Sequence, residues 1–236
     1  MKWVERYCTW CNDKGIKELD KAKEAVPDYL REMEAQNYSV WTIKLALSAV
    51  AKAMNCKTTD FEYKTPERKR ADIVRSRTIA ERDKHFSVKN NQALIHFCES
   101  TGLRRRELEA LRGDNLHFKN GKAYLHITNG KGGKERDIEI ISYKSEVVEL
   151  CQRADKGLVF PKVHSCADVH GYRGTYAQSL YRQYARPLDE IPRNERYYCR
   201  GDMKGKVLDK RALEIVSKNL GHNRLDVVVN NYAYGV

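Results

Sequence analysis

No run of apolar residues in this 236-residue chain approaches the ~18 needed to cross a bilayer. The opening residues, Met1-Lys2-Trp3-Val4-Glu5-Arg6, lack the apolar core of a secretory signal. The expectation is therefore a cytoplasmic protein. No internal repeat and no low-complexity tract interrupts the sequence, which excludes solenoid and fibrous architectures. The seven cysteines are odd in number and scattered, so a disulfide framework is not expected. Cys8 and Cys11 form a CxxC, but no second ligand pair follows to complete a zinc site. The pair is read instead as one face of a first helix. The glycine-rich stretch at 130–134 lacks the spacing of a nucleotide P-loop.

Charge of both signs is plentiful, and the balance is strongly basic. Lysine and arginine exceed aspartate and glutamate by 12. Self-repulsion of that size calls for an anionic partner, and nucleic acid is the commonest. No basic helix has the apolar opposite face that a membrane surface would require.

Residues 1 to about 63 read as helical. Lys2 to Asn12 is amphipathic and breaks at Gly15. Pro27 suits a helix start, and Asp28 to Gln36 continues it. Ser39 reads as an N-cap, followed by Val40, Ile43, Leu47, Val50 and Met54 at helical spacing. Between 64 and 84 the character changes. Lys64, Arg68, Lys69, Arg70, Arg75, Arg77, Arg82 and Lys84 face four acidic residues, and Pro66 interrupts any helix. This is read as a basic linker, with Arg68, Lys69, Arg70, Arg75 and Arg77 as candidate phosphate contacts.

A second domain begins near Ser87. Asn91 to Ser100 reads as a helix, and Glu107 to Leu111 lies on another. Ala123 to Ile127 and Arg136 to Ile140 alternate as strands around a glycine-rich hairpin turn, Asn129 to Gly133. Helices are expected at about 143–153, 171–184, 209–219 and 224–231.

Four stretches stand out in this half: Thr101-Gly102-Leu103-Arg104-Arg105-Arg106-Glu107-Leu108, Gly130-Lys131-Gly132-Gly133-Lys134-Glu135-Arg136, His170-Gly171-Tyr172-Arg173, and Leu220-Gly221-His222-Asn223-Arg224 followed by Tyr232. Each alone is commonplace: a surface arginine, a hairpin turn, a capping histidine, a helix C-cap. Their order and content together resemble the tyrosine recombinase (phage integrase) family over residues 87–236. The resemblance implies a mainly α fold with a small antiparallel β-sheet. It divides into a helical core-binding (SAM-like) domain over 1–64, a basic linker over 65–85 and an α/β catalytic domain over 86–236.

Carried over position by position, the resemblance places the catalytic arginines at Arg104 and Arg173. The catalytic lysine falls at Lys131, with Lys134 as second choice. The histidines are His170 and His222. The nucleophile is Tyr232, with Tyr234 as its alternative. The implied reaction is cleavage and rejoining of DNA strands through a 3′-phosphotyrosine. Two arginines would hold the non-bridging phosphate oxygens with forked hydrogen bonds. Lys131 would protonate the departing 5′-oxygen, His170 would take the tyrosine proton, and His222 would bond the scissile phosphate. The phosphotyrosine retains the energy of the broken link, so the resemblance implies no cofactor and no metal. It implies double-stranded DNA as partner, a homotetramer on synapsed sites, no membrane, and a nucleoid-associated location.

Two departures from the family pattern are visible. Arg173 and His222 lie forty-nine residues apart, about twice the usual spacing, and the surplus near 183–210 carries Arg186, Arg193, Arg196, Arg200, Lys204 and Lys206. This surplus is read as an inserted loop or hairpin able to touch DNA. Only four residues follow Tyr232, where family members often carry a tail that docks on a neighbouring protomer. Two rival readings stay open: a type IB topoisomerase, and a non-catalytic DNA-binding derivative of the same fold.

Overall fold

A computed structural model describes residues 2–67, 86–232 and 236. The chain divides into two compact units, Met1–Asp72 and Ile73–Val236. Arg68, Lys69, Arg70, Arg75 and Arg77, the candidate linker contacts, lie outside the described residues, as does Tyr234.

The first unit is built from four helices: α1 (Lys2–Asp13), α2 (Leu19–Glu24), α3 (Val26–Ala35) and α4 (Val40–Ala53). The Ser39 side chain caps α4 by accepting from the Thr42 N–H at 3.2 Å. Ile43, Leu47 and Val50 then fall on one buried stripe, facing Tyr7 and Cys11 of α1 and Val26, Leu30 and Met33 of α3. Cys8 and Cys11 do share α1, but Cys11 is buried and Cys8 exposed. The sequence reading had no place for α2. That helix buries none of its residues, so it shows no apolar period to find.

The second unit holds α5 (Gln92–Thr101), α6 (Arg105–Ala110), α7 (Lys144–Ala154), α8 (Val169–Tyr184), α9 (Lys210–Asn219) and α10 (Leu225–Asn231). Strands β1 (Leu116–Lys119), β2 (Lys122–Ile127) and β3 (Arg136–Glu139) form an antiparallel sheet in that order. Its core joins Phe97 of α5, Leu125 and Ile138 of the sheet, Tyr176 and Leu180 of α8, and Leu213 and Val216 of α9. Strand β1 also escaped the sequence reading, although its signal is present. Lys119 pairs with Lys122 across Asn120-Gly121, and both turn residues have positive φ (49° and 73°), as a tight hairpin of this kind requires.

The glycine-rich turn differs from the expected tight hairpin. Ile127 pairs with Arg136, so residues 128–135 make a wide loop. Inside it the Gly130 N–H donates to the Lys134 carbonyl at 3.0 Å, and Gly133 donates back to Gly130 at 2.9 Å.

The surplus at 183–210 is a hairpin. Strands β4 (Arg196–Tyr198) and β5 (Val207–Asp209) pair antiparallel. Its base is clamped to the core, because the fully buried Asp209 carboxylate accepts from Arg186 Nε at 2.8 Å and Nη2 at 2.9 Å. That bond holds the Asp209 carboxyl down at about 2 despite its burial. Two of the six basic residues offered as DNA contacts are thereby spent internally. Arg186 serves Asp209 and Glu195, and Arg196 donates to the carbonyls of Ile191 and Leu188. Arg193, Arg200, Lys204 and Lys206 remain exposed. No helix among the described residues is long and apolar enough to cross a membrane.

Candidate active site

Four helix ends and one loop supply the site. Arg104 is the N-cap residue of α6, held there because its N–H donates to Glu107 Oε2 at 2.8 Å. Its guanidinium donates to Glu107 Oε1 at 2.9 Å and to the Leu220 carbonyl at 3.0 Å. His170 and Arg173 stand one turn apart at the start of α8, a helix capped by Asp168, which accepts from the Gly171 N–H at 3.1 Å.

At the C-terminus of α9, Gly221 adopts φ +66°. The Gly221 N–H donates to Lys218 and the His222 N–H to Ser217, at 2.9 and 2.8 Å. This Schellman closure is what turns the His222 side chain into the site and leaves the Leu220 carbonyl free to accept. Tyr232 is the C-cap residue of α10 and is almost fully buried, at 5% exposure.

All six residues picked out in the sequence, Arg104, Lys131, His170, Arg173, His222 and Tyr232, line one pocket of about 550 Å³. Arg105, Ser165, Ala167, Asp168 and Val169 complete the wall. Lys134, the second choice for the lysine, is exposed and does not line this pocket.

The electrostatics follow from burial beside three arginines. Arg173 is 2% exposed. It donates from Nε to the Tyr232 hydroxyl at 3.3 Å, from Nη2 to the Leu220 carbonyl at 2.6 Å, and from Nη1 to the Gly102 carbonyl. These bonds engage one hydrogen on each nitrogen and leave two further N–H donors on the guanidinium. The Tyr232 ring lies between the two histidines, with centroids 5.6 Å from His170 and 5.7 Å from His222.

Burial, and then the charges of Arg173, Arg104 and Arg136, push the His222 imidazole down to about 4. It is neutral at neutral pH, and its Nε2 is buried without a hydrogen-bond partner among the described residues. His170 is also lowered, by desolvation of the ring and by the Arg173 charge, with Asp168 opposing. A neutral imidazole beside a tyrosine can accept its proton.

Two residues of these stretches support the site without a role assigned to them by the resemblance. Arg105 donates to the carbonyls of His164 and Ala167 at 3.0 and 2.8 Å and so pins the segment before α8. Arg136 closes the second stretch and opens β3; its side chain is 7% exposed and bonds Glu107 at 2.8 Å, a role that the stretch does not assign to it. His126 lies on the partly exposed face of β2 and pairs with Asp137 at 2.8 Å.

The fold is that of the tyrosine-recombinase catalytic domain. Among solved structures, the chain is similar to XerH site-specific recombinase bound to difH substrate in a pre-cleavage complex, at 17% identity and TM-score 0.52, over 98% of this chain and 73% of that one. The XerH post-cleavage complex on palindromic difH gives 15% identity and TM-score 0.53 over 95% and 71%. The Tn1549 transposon integrase in complex with transposon right-end DNA gives 13% identity and TM-score 0.50 over 99% and 95%. No protein-family model and no curated protein matches the chain.

Proposed function

We propose that this protein is a site-specific DNA recombinase that cuts and rejoins strands through a covalent 3′-phosphotyrosine. The observation that carries the reading is the single pocket in which a tyrosine hydroxyl, two arginines, two neutral histidines and a lysine-bearing loop meet.

In the reaction, the Tyr232 oxygen attacks the phosphorus while its proton passes to His170. The bond to the 5′-oxygen breaks, and Lys131 supplies the proton that this oxygen takes up. Arg104 and Arg173 hold the two non-bridging oxygens as charge builds on them, and preorganised charge of this kind is usually the largest catalytic term. The buried, unpartnered Nε2 of His222 is the natural further partner of the phosphate. Rejoining is the same step reversed by a second 5′-hydroxyl. Such transesterification conserves the number of phosphoester bonds, so the exchange is nearly balanced in energy.

The partner is duplex DNA, which the +12 charge favours. The helical first unit and the basic linker would supply further phosphate contacts. Integration or excision of a mobile element by four protomers on two synapsed sites, in a nucleoid-associated protein, is the biological setting we assign. Incubating the chain with a nicked duplex carrying its target and separating covalent adducts tests the reading. A DNA adduct on Tyr232 is expected. A protein that binds the duplex tightly and never becomes attached would be a non-catalytic derivative of the fold. On closed circular DNA, an adduct-forming protein that relaxes supercoils and joins no strands between two duplexes would be a topoisomerase.

A further inference from the structure

Arg136 is the first residue of β3, yet its side chain runs into the site rather than into solvent. It touches three separate pieces of the machinery. Nη2 donates to Glu107 Oε2 at 2.8 Å, and that carboxylate also holds both the main chain and the side chain of Arg104. Burial alone would raise the Glu107 carboxyl. The bonds from Arg136 and Arg104 outweigh it and keep the group ionised below its ordinary value. Nε donates to the Asn219 carbonyl at 2.9 Å, at the end of α9 that presents His222. A side chain on Gly221 would stand 3.2 Å from Arg136 Cδ and Nε, so the turn before His222 closes directly over the guanidinium.

The third piece is the lysine loop. A Cβ on Gly130 would fall 2.6 Å from Arg136 Nη1 and 2.6 Å from the Lys134 carbonyl. Gly130 does not have positive φ. Its lack of a side chain therefore answers to space rather than to backbone strain, and the guanidinium and the Lys134 carbonyl together fill that space. Nη1 itself is buried and has no hydrogen-bond partner among the described residues. A buried donor left unpaired costs free energy, and the backbone beside it is that of the residue preceding Lys131.

Resting on the strand-exchange reading above, we propose that Arg136 is a positioning residue that couples the Arg104 phosphate clamp to the Lys131 loop, with Nη1 as the donor kept for the loop when DNA draws it in. Its function is to make the clamp and the acid arrive together. It is not itself a group that touches the reacting atoms.

The test uses the full chain and single-turnover adduct formation on a nicked duplex. One substrate has the ordinary 5′-oxygen at the scissile bond, and the other has a 5′-phosphorothiolate, whose sulfur leaves unprotonated. Arg136→Ala is expected to lose about 100-fold on the oxygen substrate through misplaced groups, and clearly less on the sulfur substrate, which needs the clamp but not the lysine. Arg136→Lys should recover part of the clamp and little of the sulfur-sensitive fraction. Gly130→Ala retains every hydrogen-bonding group of Arg136 and displaces its Nη1 edge. It should show the same sulfur-sensitive loss, and it carries the test if Arg136→Ala does not fold. A native rate in folded Arg136→Ala or in Gly130→Ala overturns the proposal. So does a loss of equal size on both substrates, which would confine Arg136 to the clamp. An unmodified protein that forms no adduct on either substrate would instead overturn the proposed function.

Discussion

Arg104 and Arg173 donate to the same acceptor, the main-chain carbonyl of Leu220, at 3.0 and 2.6 Å. Two cations are thus held side by side on one carbonyl oxygen. A carbonyl has two lone pairs and can serve both. This one closes the C-terminal end of α9, where the helix dipole is negative and offsets part of the repulsion. The fold itself thus fixes the two guanidiniums relative to each other, and in the proposed reaction donors held in this way would need little rearrangement.

The two arginines should nevertheless respond differently to removal. Arg104→Ala leaves the Leu220 carbonyl bonded to Arg173, so stability should change little while cleavage falls by orders of magnitude. Arg173→Ala also orphans the buried Gly102 carbonyl, at a cost on the order of 1–3 kcal/mol. Thermal unfolding measured beside adduct formation checks this. Equal melting temperatures for the two variants would contradict it.

Tyr232→Phe should retain the fold and DNA affinity and form no adduct. The ring stays packed between His170 and His222 and only the hydroxyl is lost. Peptide mapping of the trapped native adduct to Tyr234 or elsewhere would refute the assignment.

Lys131→Ala should be slow on ordinary DNA and nearly native on the 5′-phosphorothiolate, because a sulfur leaving group needs no general acid. Equal impairment on both substrates would shift the role to Lys134.

Stability should depend on pH through His222. Its folded pKa of about 4 lies below the ordinary 6.5, so the unfolded chain binds more protons between these values. The contribution is complete above pH 6.5 and is lost as pH falls through the window toward 4. A His222→Gln variant should flatten the dependence of melting temperature on pH in that window, and an unchanged slope would refute the account.

DNA binding should weaken steeply with salt, with log K falling against log salt by about 0.9 per phosphate neutralised. Neutralising Arg68, Lys69 and Arg70 should flatten that slope. An unaltered slope would make the linker a plain connector.

The helices with an apolar period were legible from the sequence: α1, α4 and α9 each bury one stripe that recurs at three and four. The four short stretches, taken in order, also singled out six residues that line one pocket. Where these motifs meet, the chain's own chemistry is local. A glycine ends α9 ahead of His222, an aspartate caps α8 ahead of His170, and Glu107 caps Arg104. What remained illegible depends on partners distant in sequence. The bond from Arg104 to Leu220 spans 116 residues, and that from Arg136 to Asn219 spans 83. No periodicity encodes such contacts. A sequence shows Arg105, Arg136 and Arg186 as three more charges in a basic chain. Only the tertiary structure shows that Arg136 is nearly buried and that the partly exposed Arg105 and Arg186 are tied to the protein's own carbonyls and carboxylates, because a guanidinium leaves water only where such acceptors surround it.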